Sequence, residues 1–263
     1  HDVAPLPFSG PKFPLEVASM VLLRSIVTVG GFTMLSRILG FVRDILVAAF
    51  LGAGPIADAF FVAFKMPNFF RRLFAEGAFN AAFVPLFAAK LTDDGKSSAA
   101  QFATAVLSVM VVFLLVFVTG LQIAMPWLMY VFAPGYVDDS EKFSLAIELT
   151  RITFPYLLFI SLVSLLGGVL NSLGRFAAAA ATPVILNIVL IGAMLLATPH
   201  LPSAGHSLAW GVSVAGVAQF LWLVYACRQA GISLRLPRPK LSPPVRRLLR
   251  LMLPGAIGAG VVQ

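Results

Sequence analysis

Long apolar stretches alternate with short polar breaks along most of this chain. Several of the stretches reach about 20 residues, the length that a helix needs to cross the hydrocarbon core of a bilayer. The ten-residue segments of alternating hydrophobicity that characterise transmembrane β-barrels do not occur. Because lipid tolerates no unpaired backbone polar group, open apolar spans of this kind must be helices. The pattern therefore predicts an all-α polytopic membrane protein.

The apolar stretches divide into six complete spans and the start of a seventh. The six run over about 23–51, 56–90, 100–121, 145–173, 182–197 and 208–226, and the seventh opens near residue 248. The second span has about 35 residues, roughly 52 Å at helical rise, so it must kink, tilt or protrude. Pro67 and Pro85 are its natural break points.

The two ends of the chain differ from the spans between them. Residues 1–19 are proline-rich and lack periodicity, and Met20 opens a sequence typical of a natural start, so 1–19 is interpreted as a cloning remnant or disordered tail. Residues 20–230 form the predicted lobe of six spans, 231–247 a basic cytoplasmic linker, and 248–263 the start of the seventh span. Since the sequence stops inside an apolar helix, we expect a longer protein.

Composition supports the prediction of a membrane protein, and the charges of the connections predict its orientation in the membrane. Hydrophobic residues make up 59% of the chain and charged residues 11%, with a mean hydropathy of +0.94, against about 25% charged in soluble domains. The net charge of +8 comes from basic connections 2–3, 4–5 and 6–7, which the positive-inside rule places in the cytoplasm together with the N-terminus. No nucleic-acid motif accompanies these charges. Cys227 is the one cysteine, so no intramolecular disulfide is possible.

Charged residues concentrate inside the first two spans, where their cost indicates function. They are Arg37, Arg43, Asp44, Asp58, Lys65, Arg71, Arg72 and Glu76. If the two helices run antiparallel from a turn near Gly54, Arg37 and Arg71 lie at one depth, about 25 Å from the turn, and Arg43 and Lys65 at another, about 16 Å down. Asp58 lies near the outer face. Two tiers of cations below an acid are typical of an anion-binding cavity.

Seven-residue spacing places some of these charges on common helix faces. Arg37 and Asp44 share one face of the first helix, while Asp58, Lys65 and Arg72 share one face of the second. Arg71 lies about 100° from that second stripe, although Pro67 could rotate it. Spacing alone therefore leaves open whether Arg71 or Arg72 faces the cavity.

Arginine suits a diphosphate or carboxylate because its planar guanidinium donates two parallel hydrogen bonds. Two structural alternatives remain open: Arg43 could pair with Asp44 or Asp58 only to fix helix packing, and Arg71, Arg72 and Glu76 could snorkel to the boundary. Asn171 and Asn187 are expected to bond between helices. The sequence carries no Walker A, HExxH or Ser-His-Asp pattern, and we expect no enzyme activity, cofactor or metal site.

Three stretches resemble the MurJ (MviN) family of lipid II flippases. They are residues 36–44 (SRILGFVRD), 58–68 (DAFFVAFKMPN) and 71–79 (RRLFAEGAF), with shorter matches at 133–136, 152–156 and 170–172. The similarity covers about Met20 to Gln263. It implies the N-terminal six-helix lobe of an exporter of the MOP superfamily, followed by the start of a second lobe.

The resemblance also implies roles for individual residues. Arg37, Arg43 and Arg71 match the family's cavity arginines, which favours Arg71 over Arg72, and Asp58 matches the acid at the start of the second helix. Residues expected around them as gating or cavity residues are Ser36, Asp44, Lys65, Asn68, Arg72 and Glu76. The implied substrate is lipid II, an undecaprenyl-diphosphate-linked sugar-peptide, in the bacterial inner membrane, with membrane lipids and cell-wall synthesis proteins as further partners.

Two other functions stay open at this level. One is a related MOP exporter that moves another lipid-linked oligosaccharide or a drug. The other is a membrane scaffold for cell-wall synthesis whose charges only hold helices together.

Overall fold

The computed structural model describes residues 15–72, 78–234, 239 and 242–261, and every structural statement concerns these. The regular elements in them are helical, as the hydrophobic pattern predicts. In chain order they are α1 (Leu15–Leu51), α2 (Pro55–Arg71), α3 (Ala78–Asp93), α4 (Gly95–Ile123), α5 (Met125–Phe132), α6 (Ser140–Thr153), α7 (Tyr156–Ser172), α8 (Phe176–Ala180), α9 (Thr182–Gly192), α10 (Ala204–Gln229) and α11 (Pro243–Val261).

Four helical segments in the described part of the chain are long and apolar enough to cross a membrane. They are Gly95–Ile123, Ser140–Ser172, Phe176–His200 and Ala204–Gln229. They coincide with the third to sixth predicted spans. The charged helices α1 and α2 are not among them.

The second predicted span differs from its expected form. It consists of α2 and α3, and Pro67 and Pro85 both lie inside these helices rather than at their ends. Neither proline therefore marks a helix end, although both were natural break points by sequence. Residues 73–77, between the two helices, lie outside the described residues. At the start of the chain, α1 begins at Leu15, five positions before Met20.

The connections gather at two ends of the lobe. The end that carries the α1–α2 turn, here the turn end, also holds the α5–α6 and α9–α10 connections, since Lys142 contacts Asp58 and Gly205 lies against Ile56. Gly52 (φ 64°) and Gly54 (φ 156°) make this turn possible, because a side chain strongly disfavours that backbone region. The opposite end, here the basic end, holds the α3–α4 turn, where a hydrogen bond from Lys90 (2.9 Å) lowers the pKa of Asp94.

Helix α10 lies at the centre of the packing. It contacts α7, α9, α6 and α2, and glycines let neighbouring helices approach it closely. A methyl group at Gly211 would lie 2.8 Å from the Cβ of Ala193, and one at Gly216 would lie 2.7 Å from the ring of Tyr156. Such small-residue contacts are the usual way for membrane helices to pack, because lipid provides no hydrophobic force between them.

Helices α1 and α2 diverge below their turn. The main contacts of α1 are with α9 and α8, whereas those of α2 are with α6, α10 and α7. The two helices therefore do not pack against each other along their length: each packs on a different part of the lobe. The face of α1 that turns away from α9 exposes large apolar side chains, Ile38, Phe41 and Ile45 among them.

Candidate functional site

Two charged stripes are exposed at the surface of the lobe, and together they are called the charged face. Arg37 and Asp44 lie on α1, and Asp58, Lys65 and Arg72 lie on α2, as the seven-residue spacing predicts for each helix. Each is exposed, whereas apolar neighbours on α2 such as Ala59, Ala63 and Met66 are buried in the lobe. On α2 the helical periodicity thus separates a packing side from a charged side, whereas on α1 exposed apolar residues such as Ile38 and Ile45 lie beside the charged ones.

Arg43 lies beside this face and is held by two partners. Its Nη2 and Nε donate to Oδ1 of Asp44 at 2.8 and 3.0 Å, and its Nη1 donates to Oδ1 of Asn187 on α9 at 2.9 Å. The arginine side chain is 25% exposed. The pairing of Arg43 with Asp44 is one of the two that the sequence allowed; Asp58 is not its partner here.

Asn187 joins α1 to α9 at this point. Its side chain is buried, and its Nδ2 donates to the backbone carbonyl of Ser36 at 2.9 Å. Gly40 lies one turn along α1, and a methyl group there would lie 3.6 Å from that nitrogen, so the two helices are in close contact. Asn187 is thus an interhelical bonding residue, as expected, and it also orients a predicted site arginine.

Asp58 forms a second ion pair at the turn end. Its Oδ2 accepts a hydrogen bond from Nζ of Lys142 on α6 at 2.5 Å. The same Nζ lies 4.1 Å from the ring centroid of Tyr136, within the range of a cation–π interaction. Burial raises the pKa of the Tyr136 hydroxyl. Sequence reasoning placed Asp58 near the outer face but missed Lys142, which has no spacing relation to it.

Arg71 borders a cavity of about 580 Å³ within the lobe. Its Nε donates to Oδ1 of Asn68 at 3.3 Å, and Asn68 in turn donates to the carbonyl of Phe64 at 2.9 Å. The neighbouring Arg72 is exposed and does not line this cavity. The two adjacent arginines therefore occupy different environments, one in the cavity wall and one on the charged face.

The charges of the face do not cancel. Asp44 is neutralised by Arg43 and Asp58 by Lys142. Arg37, Lys65 and Arg72 make no ion pair with another described residue. The face thus presents uncompensated positive charge, which favours an anion. Glu76, the remaining predicted site residue, lies outside the described residues.

Across the described ranges, no group of three or more His, Cys, Asp or Glu side chains is arranged to hold a metal ion. His206 contacts the carboxylate of Glu148 at 3.3 Å and the hydroxyl of Ser203 at 2.8 Å. It therefore has structural partners on α6 and in the cap of α10.

The described part of the chain is a helical lobe with two charged helices at its surface, and solved membrane transporters have this fold. Its fold matches a solved MOP superfamily transporter from Pyrococcus furiosus with a TM-score of 0.70 over 89% of this chain and 52% of the other, at 17% identity. A solved lipid II flippase MurJ in an inward closed conformation gives 0.71 over 90% and 48%, at 27% identity. The chain is a multi-pass membrane protein with the fold of a MOP transporter lobe.

Sequence comparison identifies the family. The family model described as "Lipid II flippase MurJ" matches residues 47–263. A probable lipid II flippase MurJ of Rhizobium tropici is 48% identical over 93% of this chain, and a lipid II flippase MurJ of Burkholderia cenocepacia is 40% identical over 93%. The chain belongs to the MurJ family, and the predicted resemblance is confirmed. It spans about half the length of these relatives, 46% and 48% respectively.

Proposed function

We propose that this chain is the N-terminal lobe of a flippase that moves lipid II from the cytoplasmic to the periplasmic leaflet of the bacterial inner membrane. The turn end of the lobe would face the periplasm and the basic end, with the N-terminus, the cytoplasm, following the positive-inside rule. The transport needs no enzyme chemistry, since the substrate crosses unchanged. The family membership supports the substrate class.

The observation that carries the proposal is the uncompensated positive charge of the charged face. A diphosphate bound there would lose its water shell and gain contacts with Arg37 and Arg43 instead. These charged contacts are stronger where little water is present. Arg37 is free to bind, because it has no ion pair with another described residue. Arg43 keeps a fixed position because Asn187 and Asp44 orient it. The undecaprenyl tail would remain in lipid beside the protein.

Alternating access requires contacts that differ between two states. The ion pair of Asp58 with Lys142 joins α2 to α6 at the turn end, and we propose that it holds these helices together in one state. In another state Asp58 would exchange Lys142 for an arginine of the cavity. The pair is half exposed on the carboxylate side, so breaking it costs little, which suits a contact that is made and broken in each cycle.

Arg37→Ala in the native full-length protein tests the assignment. We expect normal membrane insertion and loss of complementation in a strain depleted of its own lipid II flippase, because a single free cation of the diphosphate site is removed. Arg175→Ala is the matched control, since Arg175 is an exposed arginine in the turn before α8 at the basic end. Full growth with Arg37→Ala, at equal protein level, would refute a role for the charged face in transport.

A different exporter substrate predicts another result. If the protein moves a drug or another lipid-linked oligosaccharide, purified protein in liposomes will not translocate lipid II but will translocate that compound. A scaffold without transport activity will translocate neither, and its charge variants will retain growth.

A further inference from the structure

The lysine of the turn-end ion pair occupies an unfavourable position on its own helix. Asp139 caps α6, and its Oδ1 accepts a hydrogen bond from the backbone N–H of Lys142 at 3.0 Å, so Lys142 lies in the first turn. A cation is disfavoured there, because the free N–H groups of the first turn carry partial positive charge. Lys142 therefore needs partners outside its own helix, and Asp58 on α2 is one of them.

Tyr136 is another partner of this lysine. The Nζ of Lys142 lies 4.1 Å from the centroid of the Tyr136 ring, and the same Nζ donates to Asp58. The face of an aromatic ring attracts a cation, and more strongly where water is excluded. The lysine side chain is only 18% exposed, against 52% for the aspartate, so the cation is shielded more than its acid partner. Its ammonium is thus held by a ring as well as by a carboxylate.

Tyr136 has a fixed position of its own. It ends the short 3₁₀ turn Pro134–Tyr136, where its N–H donates to the carbonyl of Ala133 at 3.0 Å and its carbonyl accepts from the N–H of Asp139 at 3.1 Å. Its side chain packs against a buried cluster that includes Phe60 on α2 and Leu149 on α6. The place of the ring is therefore set by packing and backbone hydrogen bonds, independently of the lysine.

We propose that Tyr136 is a positioning residue for the turn-end ion pair, and that its ring holds the ammonium of Lys142 in front of Asp58. An exposed ion pair loses much of its Coulomb energy to the entropy cost of fixing a long lysine side chain. The ring restricts that side chain before the pair forms, so less entropy is lost on pairing. Because the ring is neutral, it holds the cation without neutralising it, as a second carboxylate would. This inference rests on the proposed function, since it takes the pair as a contact that is made and broken in each transport cycle.

The accessibility of the lysine amine tests this role directly. The native full-length protein and its variants are purified in nanodiscs and acetylated with N-hydroxysuccinimide acetate, and the rate at each lysine is followed by mass spectrometry. For Tyr136→Leu we expect Lys142 to react about 2- to 5-fold faster, the factor that corresponds to an exposed cation–π contact. Tyr136→Phe keeps the ring and should react at the unsubstituted rate. Lys90, paired with Asp94 at the basic end, is the internal control and should not change in either variant.

A double-mutant cycle separates positioning from packing. The equilibrium constant of unfolding is measured in mixed micelles for Tyr136→Leu and Tyr136→Phe, each with Lys142 and with Lys142→Met. The ratio of the unfolding constants, Tyr136→Leu over Tyr136→Phe, should be about 2- to 5-fold larger with the lysine than with the methionine. The same ratio in both backgrounds, or equal labelling of Lys142 in both Tyr136 variants, would overturn the positioning role. Neither measurement uses lipid II, so failure of the unsubstituted protein to translocate lipid II in liposomes would contradict the proposed function alone.

Discussion

The contact between Arg43 and Asn187 is the most direct link between the charged face and the packing of the lobe. It joins residues 144 positions apart, at 2.9 Å, and the asparagine is 4% exposed. We expect a double-mutant cycle of Arg43→Ala and Asn187→Ala to show a coupling free energy of unfolding of about 1–2 kcal/mol. A hydrogen bond to a charged group contributes about 1.5–3 kcal/mol in soluble proteins, whereas bonds between membrane helices average about 0.6 and reach about 1.7.

The free energy of unfolding is measured on the native full-length protein in mixed micelles. Sodium dodecyl sulfate is increased stepwise, and unfolding is monitored by tryptophan fluorescence. The matched control is a second double-mutant cycle, of Arg37→Ala and Asn187→Ala. Arg37 lies on the same helix as Arg43 and has no bond to Asn187. That cycle should be additive within about 0.5 kcal/mol. Additivity in the Arg43 cycle as well would refute the claim that Asn187 holds this arginine in place.

Two further predictions concern the packing around the site. Asp58→Lys or Lys142→Asp alone should lower the free energy of unfolding, and the double exchange should recover that loss, because the pair joins α2 to α6. Complementation should stay lost in all three, since a lysine at position 58 cannot pair with an arginine in the other state; growth with the double exchange would refute that second contact. Gly216→Ala should lower the free energy of unfolding by about 1–3 kcal/mol, because its methyl group would lie 2.7 Å from Tyr156. Gly192→Ala, with nothing within 4 Å, should be neutral in the same unfolding measurement.

The sequence by itself determined the class of protein, because the properties involved are local. Apolar length predicts membrane-spanning helices, and the helical repeat predicts which charges share a face. Lys65 and Arg72, seven positions apart on α2, are accordingly both exposed in the structure. The charged motifs of α1 and α2 were also sufficient to indicate the MurJ family, since each lies within one short stretch of chain.

Only the tertiary structure decided which groups meet across the lobe. The partners of Asp58 and Arg43, Lys142 and Asn187, are 84 and 144 positions away, and no helical periodicity relates positions on different helices. The divergence of α1 from α2 is also decided by tertiary packing. Each helix packs on the surface that its own small and large side chains fit most closely. The buried oxygens of Asn80 and Gln219 belong to this level too: a sequence shows an amide, but only packing shows that its acceptor is buried with no donor among the described residues.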